Sequence, residues 1–472
     1  MLQNLLRRKA LPTSENTPSS GLLRNITLFQ LTLMGIGSTL GTGIFFALAE
    51  TVPIAGPAVV LSFMIAGFVA ALTALCYAEV SASLPVSGSS YTFTYMTLGQ
   101  GAAMAVAACL LLEWGIAGAA VAVGWSSYLN DFISIATGYE IPISIQASPF
   151  VEDPNGGWMR NHESYLNLPA VVLVWMCALL LLRGSKESAI VNAIFTMTKL
   201  GVLLLFVVLS LFAFQQQNFV PFMPSGVEGV GAAAAIVFFS FIGLDSVVNA
   251  SEEAINPRRN IPLAIIAALI VVTAVYIVVA VSSLGVQPAA DFHGHEGSLT
   301  TILEKATHAP WLGGVLAAGA VLSIFSVTLV CLYGQSRIFF AMARDRMIPD
   351  VLCKIDERSG TPRAGVLLAA LMITPLAAIA PSHMLWSMVS MGTLITFMAV
   401  AIALMMLRSY FKREPEGYRT PLYPLIPILS IGCCLYLLFN LQDSVYQLFA
   451  VWLFLVMMFY FLYSQKRAVL TD

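Results

Sequence analysis

"LMGIGSTLGTGIFF", residues 33–46, lies inside an apolar run that reads as the first membrane-spanning helix, and it holds Gly35, Gly37, Gly41 and Gly43. Glycine is a poor helix former, and a helix in lipid must satisfy its own backbone. Unwound backbone persists at membrane depth only where protein buries it or where it lines a cavity, because each orphan N–H or C=O costs several kcal/mol in hydrocarbon. The glycines therefore mark either a break with a use or a site of close helix packing. Gly37 and Gly41 also fit the G-x-x-x-G dimerisation pattern, so this stretch alone leaves both readings open.

The rest of the chain sets the solvent. Of 472 residues, 58% are hydrophobic and 10% charged, and the mean hydropathy is +0.84, well outside the soluble range. A spanning helix needs about 20 mostly apolar residues. Twelve runs qualify: 29–50, 57–83, 101–134, 166–183, 189–213, 229–254, 261–285, 311–340, 364–381, 383–408, 423–441 and 444–463. An even count puts both termini on one side. With that side inside, all but three of the 23 lysines and arginines fall in inner segments; Arg160 and Lys305 are in outer loops and Lys199 lies within a span. The positive-inside bias makes the termini cytoplasmic. The first 28 residues lack the apolar core and cleavage site of a signal peptide and read as a retained cytoplasmic tail.

Several function classes are excluded on composition. No Gly-x-x-x-x-Gly-Lys loop is present to hold ATP phosphates, and no basic, aromatic-interleaved stretch suggests nucleic acid. The seven cysteines lack C-x-x-C spacing, and the histidines, mostly in polar loops, lack metal-ligand spacing. Neither a metal site nor an enzymatic constellation is expected. If the chain moves something, a gradient drives it.

The sixth span resolves the first. "VFFSFIGLDSVVNASEEAINPRRN", residues 237–260, places Gly243 mid-membrane with Asp245 directly after it. Spans 1 and 6 are corresponding members of two five-helix halves, and interrupted helices at corresponding positions point to an inverted-repeat transporter. A half-helix beginning at Gly41, Thr42 and Gly43 presents free N–H groups and a positive dipole end, suited to a carboxylate. The facing half of span 6 ends near Phe239, Ser240 and Ile242, whose free carbonyls suit an ammonium group. A small molecule carrying both groups is an amino acid.

"GIGSTLGTGIF", "LPVSGSSYTFTY", "LEWGIAGAAVAVGWSSYL", "FFSFIGLDSVVNASEEAINPRRNIP" and "GQSRIFFAMARDRMIP" occur in this order. As a set they resemble the amino acid-polyamine-organocation (APC) superfamily, over about residues 22–465, and most of all its bacterial cationic amino acid transporter-like branch. The resemblance implies an all-α polytopic membrane protein of twelve transmembrane helices with the LeuT-type fold. That fold divides the chain into a tail (1–28), a five-helix repeat (29–213), an inverted second repeat (229–408), two peripheral spans (423–463) and a short C-terminal tail (464–472). It implies a bacterial inner (plasma) membrane. Carried over by residue, it puts the substrate carboxylate at Thr39, Gly41, Thr42 and Gly43, the amino group at Phe239, Ser240 and Ile242, and a gate at Phe239. Ser38, Thr39, Leu40, Ser240 and Leu244 depart from what such relatives often carry, which leaves the side-chain preference open.

Ionisable residues at membrane depth default to function. Lys199 lies about 12 residues into span 5, roughly 18 Å along the helix, too deep to snorkel easily. The resemblance implies a lysine here, near span 1, where sodium-coupled relatives place a cation. Its ammonium would hold the unwound carbonyls near Gly37 and release them when neutral, which makes a proton the coupling ion. Sodium near Ser323 and Ser326 is disfavoured by that fixed charge. Glu113 on span 3 is expected as the acidic partner of Lys199, as a proton-path residue, or as half of a static ion pair. Asp245 either caps the inner half-helix of span 6 or meets a cationic substrate side chain. Arg337, Arg344 and Arg346 read as positive-inside anchors, and Glu252, Glu253, Arg258 and Arg259 as solvated anchors or salt-linked gates. "SLPVSGSSYTFTY" is by composition a turn-rich loop, while the resemblance packs it under the inner vestibule.

The expectation is thus a proton-coupled amino acid importer in the lipid bilayer, broad in substrate and accepting basic amino acids. Its rivals are an exchanger without net proton flow and a non-transporting sensor. Gly115, Ala117 and Gly118 would suit small neutral side chains if they lined the pocket. The residues leave open whether a small accessory membrane helix joins the bundle.

Overall fold

The computed structural model describes residues 5–10, 24–86, 88–152, 158–292, 299–380, 382–411, 417–439, 441 and 443–467. The first apolar run is two helices, α1 (Leu28–Thr39) and α2 (Thr42–Ala55), interrupted at Leu40 and Gly41. There follow α3 (Val59–Ser83), a short α4 (Ser89–Thr97), and α5 (Gln100–Leu111), which runs through a π-helical turn (Leu112–Ile116) into α6 (Ala117–Thr137). After α7 (Ile143–Gln146) and the strands β1 (Phe150–Glu152) and β2 (Trp158–Arg160) come α8 (Leu168–Arg183) and α9 (Ser185–Leu211). The sixth run opens with α10 (Gly226–Phe238), passes through a 3-10 turn (Phe239–Phe241) and keeps only one more helical turn, α11 (Ser246–Asn249). The remainder is α12 (Pro257–Val286), α13 (Leu299–Thr307), α14 (Pro310–Arg344), α15 (Arg363–Ile379), α16 (Ser382–Ser409), α17 (Leu425–Phe439) and α18 (Asp443–Phe459) with a terminal π turn (Tyr460–Ser464).

Local chemistry sets the ends. Thr27 and Gln30 form a capping box at the start of α1, and proline occupies the first turn of α8, α12 and α14, where its missing N–H costs nothing. Gly138 stops α6 at φ 71°. Among the described residues, seven helices are long and apolar enough to cross a membrane, and four more are shorter and apolar. Large apolar side chains such as Leu204, Phe212, Phe454 and Leu462 are exposed, while serines, threonines and charged groups lie inside. That inversion is what a chain solvated by lipid requires, and the protein is an integral multi-pass membrane protein.

The packing is regular. α12 lies on both α3 and α1, and α10 on α3 and α2. α6 pairs with α14, α8 with α15, and α9 with α14 and α1. α16 crosses α5, the π turn and α6, while α17 and α18 sit at the periphery against α3, α5 and α16.

The fold is predominantly helical, and the loop at 135–165 adds only a short antiparallel hairpin pairing Phe150 with Arg160. "SLPVSGSSYTFTY" is no mere loop: Ser89 to Thr97 form α4, every residue buried, with the Tyr77 and Ser90 hydroxyls 2.6 Å apart. Arg337 is no surface anchor. It is 1% exposed, donates to Glu253 Oε1 at 2.6 Å and stacks on Tyr333, whose hydroxyl donates to the same oxygen at 2.6 Å. Arg344 pairs with Glu252 at 2.9 Å. Part of the N-terminal tail is also built in: Ile26 bridges Ala254, Arg8 stacks on Tyr410, and Lys9 forms an ion pair with Asp345.

Breaking a buried ion pair on one side leaves an uncompensated charge and costs about 3–5 kcal/mol, whereas replacing both partners with apolar groups is often neutral. Glu253→Gln is therefore expected to lower the thermal midpoint of the detergent-solubilised protein sharply, and the double variant Glu253→Met, Arg337→Met to recover most of it. Equal loss in the two would mean that the pair itself supplies the stability.

Candidate functional site

The break between α1 and α2 leaves carbonyls and amides without helical partners. Leu40 N–H makes the last bond of α1, to Ile36 O at 2.8 Å, and Gly41 N–H turns back to Thr39 O at 2.7 Å. The freed carbonyls are taken by side chains from other helices. Lys199 of α9, 1% exposed, donates through Nζ to Gly37 O at 2.9 Å and also to Leu40 O. The Tyr276 hydroxyl of α12 lies 2.6 Å from both Thr39 O and Ser240 O. With one proton for two acceptors, that hydroxyl straddles the two breaks, and its ring is held edge-on by Phe241 at 5.2 Å. Ser38 adds a second link, lying 2.7 Å from Gly243 O and 2.9 Å from Ser246 Oγ.

Each glycine of the opening stretch meets a different neighbour. A Cβ at Gly35 would come within 2.9 Å of Ala268, at Gly37 within 2.5 Å of Thr196 Oγ1, at Gly41 within 2.9 Å of Val327, and at Gly43 within 2.5 Å of Ser240 Oγ. Close packing and the break are thus one device: the glycines face partners within the same chain, and the chain is unwound where they cluster. Gly243, at φ 109°, allows the matching turn after the 3-10 segment.

Between the breaks lies a cavity of about 40 Å³ lined by Thr39, Gly41, Gly43, Ser240, Ile242 and Glu113, and further by Trp114, Ala117, Val121, Val327 and Cys331. Backbone N–H groups at the start of α2, capped by Gly41 without any side-chain bond, are the donors a helix leaves free at its N-terminus. Glu113 stands on the π-helical turn, a local rearrangement that often marks functional positions. It is 1% exposed and neither carboxylate oxygen has a hydrogen-bond partner, while the neighbouring Thr393 hydroxyl donates to Val389 O at 3.0 Å. The Ser240 hydroxyl and the Trp114 indole N–H are likewise buried and unpartnered.

The sequence-derived residues thus divide. Six of them line one cavity. The side chains of Thr42 and Phe239 lie outside the described residues, so the proposed gate at Phe239 is not described. Lys199 sits against α1 and does not line the cavity; Glu113 does, and no ion pair joins the two, so direct pairing with Lys199 is not what this structure contains. Asp245 occupies the N-cap position of α11 but makes no capping bond. Its unpartnered carboxylate borders a smaller cavity with Thr73, Tyr77 and Phe397. Ser240 O, expected to be free, faces Tyr276. Of Gly115, Ala117 and Gly118, only Ala117 lines the cavity; Gly115 faces Gln335, and Gly118 faces Ile373 and Cys331. Sequence reading missed Tyr276, and it named Ser38 without its link between the two breaks. A tyrosine amid "VVTAVYIVVAV" was the available signal, because a buried phenol hydroxyl must find a partner.

Residues 26–462 match the family described as "Amino acid permease". The chain is 38% identical to a branched-chain amino acid permease, BcaP, of Bacillus subtilis, with all of both chains covered. It is 37% identical to a methylthioribose transporter of the same organism, covering 99% of this chain and 100% of that one. It is 32% identical to human cationic amino acid transporter 4, over 88% of this chain and 64% of that protein.

Adding a Cβ at Gly43 forces α2 away from the Ser240 backbone, whose Cα would be 2.8 Å distant, whereas Gly201 faces open space. Gly43→Ala is expected to destabilise the protein in a thermal scan, and Gly201→Ala to leave it unchanged or slightly stabler. Tyr276→Phe leaves buried carbonyls without their donor and is expected to cost about 1–3 kcal/mol.

Proposed function

Because the chain belongs to the amino acid permease family of the APC superfamily, and is a transporter of amino acids rather than an enzyme, we propose that it is a proton-coupled importer working by alternating access around the two helix breaks. The observation that carries this reading is the Lys199 ammonium on the α1 carbonyls. A protonated amine neutralises and holds the negative end of α1; the neutral amine has lost a donor and a charge, and its grip loosens. Protonation at Lys199 thus biases the geometry of the substrate cavity on the other side of the same break. A sodium ion would compete for the carbonyls that Lys199 already occupies, which favours the proton over sodium.

The packing supports a 5 + 5 inverted repeat within twelve spans. Counting α1 with α2 as span 1, and α10 with α11 as span 6, span 1 packs on span 7 as span 6 packs on span 2. Span 5 packs on span 8 as span 10 packs on span 3, and span 4 packs on span 9, its own counterpart. Pairings that map onto one another under a shift of five are what two superimposable halves produce. In this reading the repeats cover 29–213 and 229–408, spans 11 and 12 are peripheral, and the basic segments place both termini in the cytoplasm at the plasma membrane.

The substrate α-carboxylate is assigned to the N–H groups at Gly41, Thr42 and Gly43, with Thr39 alongside. The α-ammonium is assigned to the carbonyls at Phe239 and Ser240 in the 3-10 turn and at Ile242 just after it. The side chain then points toward Ala117, Val121, Val327 and Cys331, with Glu113 at the same wall. An unpartnered carboxylate there favours a basic amino acid. The apolar remainder of the wall, and the name of the Bacillus subtilis relative at 38% identity, favour a branched neutral one as the second reading.

Uptake of labelled arginine and leucine into proteoliposomes, in sodium-free buffer and with or without an inward proton gradient, tests both parts. Gradient-driven accumulation is expected for wild type and is expected to disappear in Lys199→Ala, with substrate binding retained. Accumulation that ignores the gradient and needs amino acid on the far side would establish exchange instead. Glu113→Gln is expected to reduce arginine uptake by about tenfold or more, a loss of at least 1.4 kcal/mol in affinity or barrier, while leucine uptake changes little. The reverse pattern would make the neutral substrate primary.

A further inference from the structure

An importer driven by protons has to discharge Lys199 to the cytoplasm, and the structure offers a route that the substrate cavity does not. Ser188, Asn192, Thr196 and Lys199 succeed one another on α9 at intervals of four, four and three residues, so they share one helix face. The stripe runs roughly 16 Å, at 1.5 Å per residue, from the end of α9 beside Arg183 to the Lys199 ammonium. All four side chains are buried, between 0% and 4% exposed. They face α1: a Cβ on Gly37 would strike Thr196 Oγ1 at 2.5 Å and Asn192 Oδ1 at 3.2 Å.

Two of these groups have no protein partner. Asn192 Oδ1 and Thr196 Oγ1 are buried without any hydrogen bond, an arrangement that costs about 1–3 kcal/mol for each group unless water fills it. Space for water adjoins Asn192. A second cavity, of about 20 Å³, is lined by Ser188 and Asn192 together with Met34, Leu181 and Tyr333; that is enough for about one water. Its far wall, Tyr333, donates to Glu253, which also holds Arg337, and Glu253 Oε2 has no partner. Among the described residues, the titratable and charged groups on this side are Lys199 on α9 itself, Tyr333 of α14 at the cavity wall, and Glu253 and Arg337 behind Tyr333, with Tyr276 of α12 beyond the break.

We propose that the Ser188–Asn192–Thr196 face of α9 is a hydrated proton-release path from Lys199 to the cytoplasm, separate from the substrate cavity. The inference rests on Lys199 being the coupling group. In the release step the ammonium gives one proton to an adjacent water and becomes the neutral amine. The proton passes from water to water past Thr196 and Asn192, which order the waters and keep their own protons, and leaves as hydronium at the cytoplasmic end. The substrate crosses on the opposite side of α1, so the two cargoes share the helix break without sharing a channel.

The test replaces polarity at nearly constant volume: Asn192→Leu and Thr196→Val, alone and together, with Asn192→Ser as the conservative control. Proteoliposomes loaded with a pH-reporting dye give proton entry and labelled leucine or arginine accumulation under an inward gradient. Counterflow at equal pH gives the exchange mode, which requires no net discharge of Lys199. The expected result is a fall of about tenfold in both gradient-driven signals for the double variant, equivalent to 1.36 kcal/mol on the limiting barrier. Counterflow is expected to stay within about twofold of wild type, and Asn192→Ser to retain most of the coupled rate. A double variant that accumulates substrate as fast as wild type overturns the path. So does one that loses counterflow in the same proportion, since the stripe would then be structural. A wild type that ignores the gradient overturns the coupling reading first, and this inference with it.

Discussion

Backbone polar groups freed inside a membrane must find partners within the protein, and this molecule is arranged around that constraint. Two helices are interrupted side by side, and the exposed carbonyls are taken by an ammonium, a phenol and a serine hydroxyl drawn from α9, α12 and α1. None of these donors is close in sequence to what it satisfies. The bundle therefore has to assemble before the break is stable, and the break in turn fixes which helices can be neighbours. Lys199 stands out among the donors because it alone can lose its charge.

The same economy governs the charged groups near the inner face. Arg337, Glu253 and Tyr333 form a compact buried cluster, and Arg344 with Glu252 and Lys9 with Asp345 extend it toward the N-terminal segment. Single buried charges are expensive, and pairing them keeps that expense tolerable only in one arrangement. Such clusters hold α14 to the irregular segment between α11 and α12.

Much of the fold was legible because lipid is an unforgiving solvent. The apolar runs, the basic inner segments and the paired glycine breaks are composition and spacing, and the helices fall on those runs. The cavity residues Gly41, Gly43, Ser240 and Ile242 were also reachable, since helix ends select donors and acceptors, and Thr39 followed from the resemblance; Glu113 was singled out as a rare deep carboxylate but not placed at the cavity. Arg337 was misread because an arginine near the inner end of a span looks the same whether it faces water or Glu253. Composition alone missed α4, which the resemblance packs inward, because serine, glycine and threonine serve a turn and a buried, tightly packed helix equally well. Asp245 was placed correctly at a helix start, but its side chain points to a separate cavity, which no local rule predicts.

The sequence by itself determined that this chain lives in a membrane, which way its basic segments favour, where its first and sixth spans are interrupted, and that no phosphate-binding loop is present. Those properties follow from hydropathy, charge placement and the cost of unsatisfied backbone, all of which act along the chain. Only the tertiary structure decided that Lys199 reaches Leu40 O as well as Gly37 O, that Tyr276 bridges both breaks, that Glu113 faces the cavity instead of Lys199, and that Asn192 and Thr196 are left without partners. Those are matters of which helix faces which at ångström distances, and spacing along a chain carries no record of them.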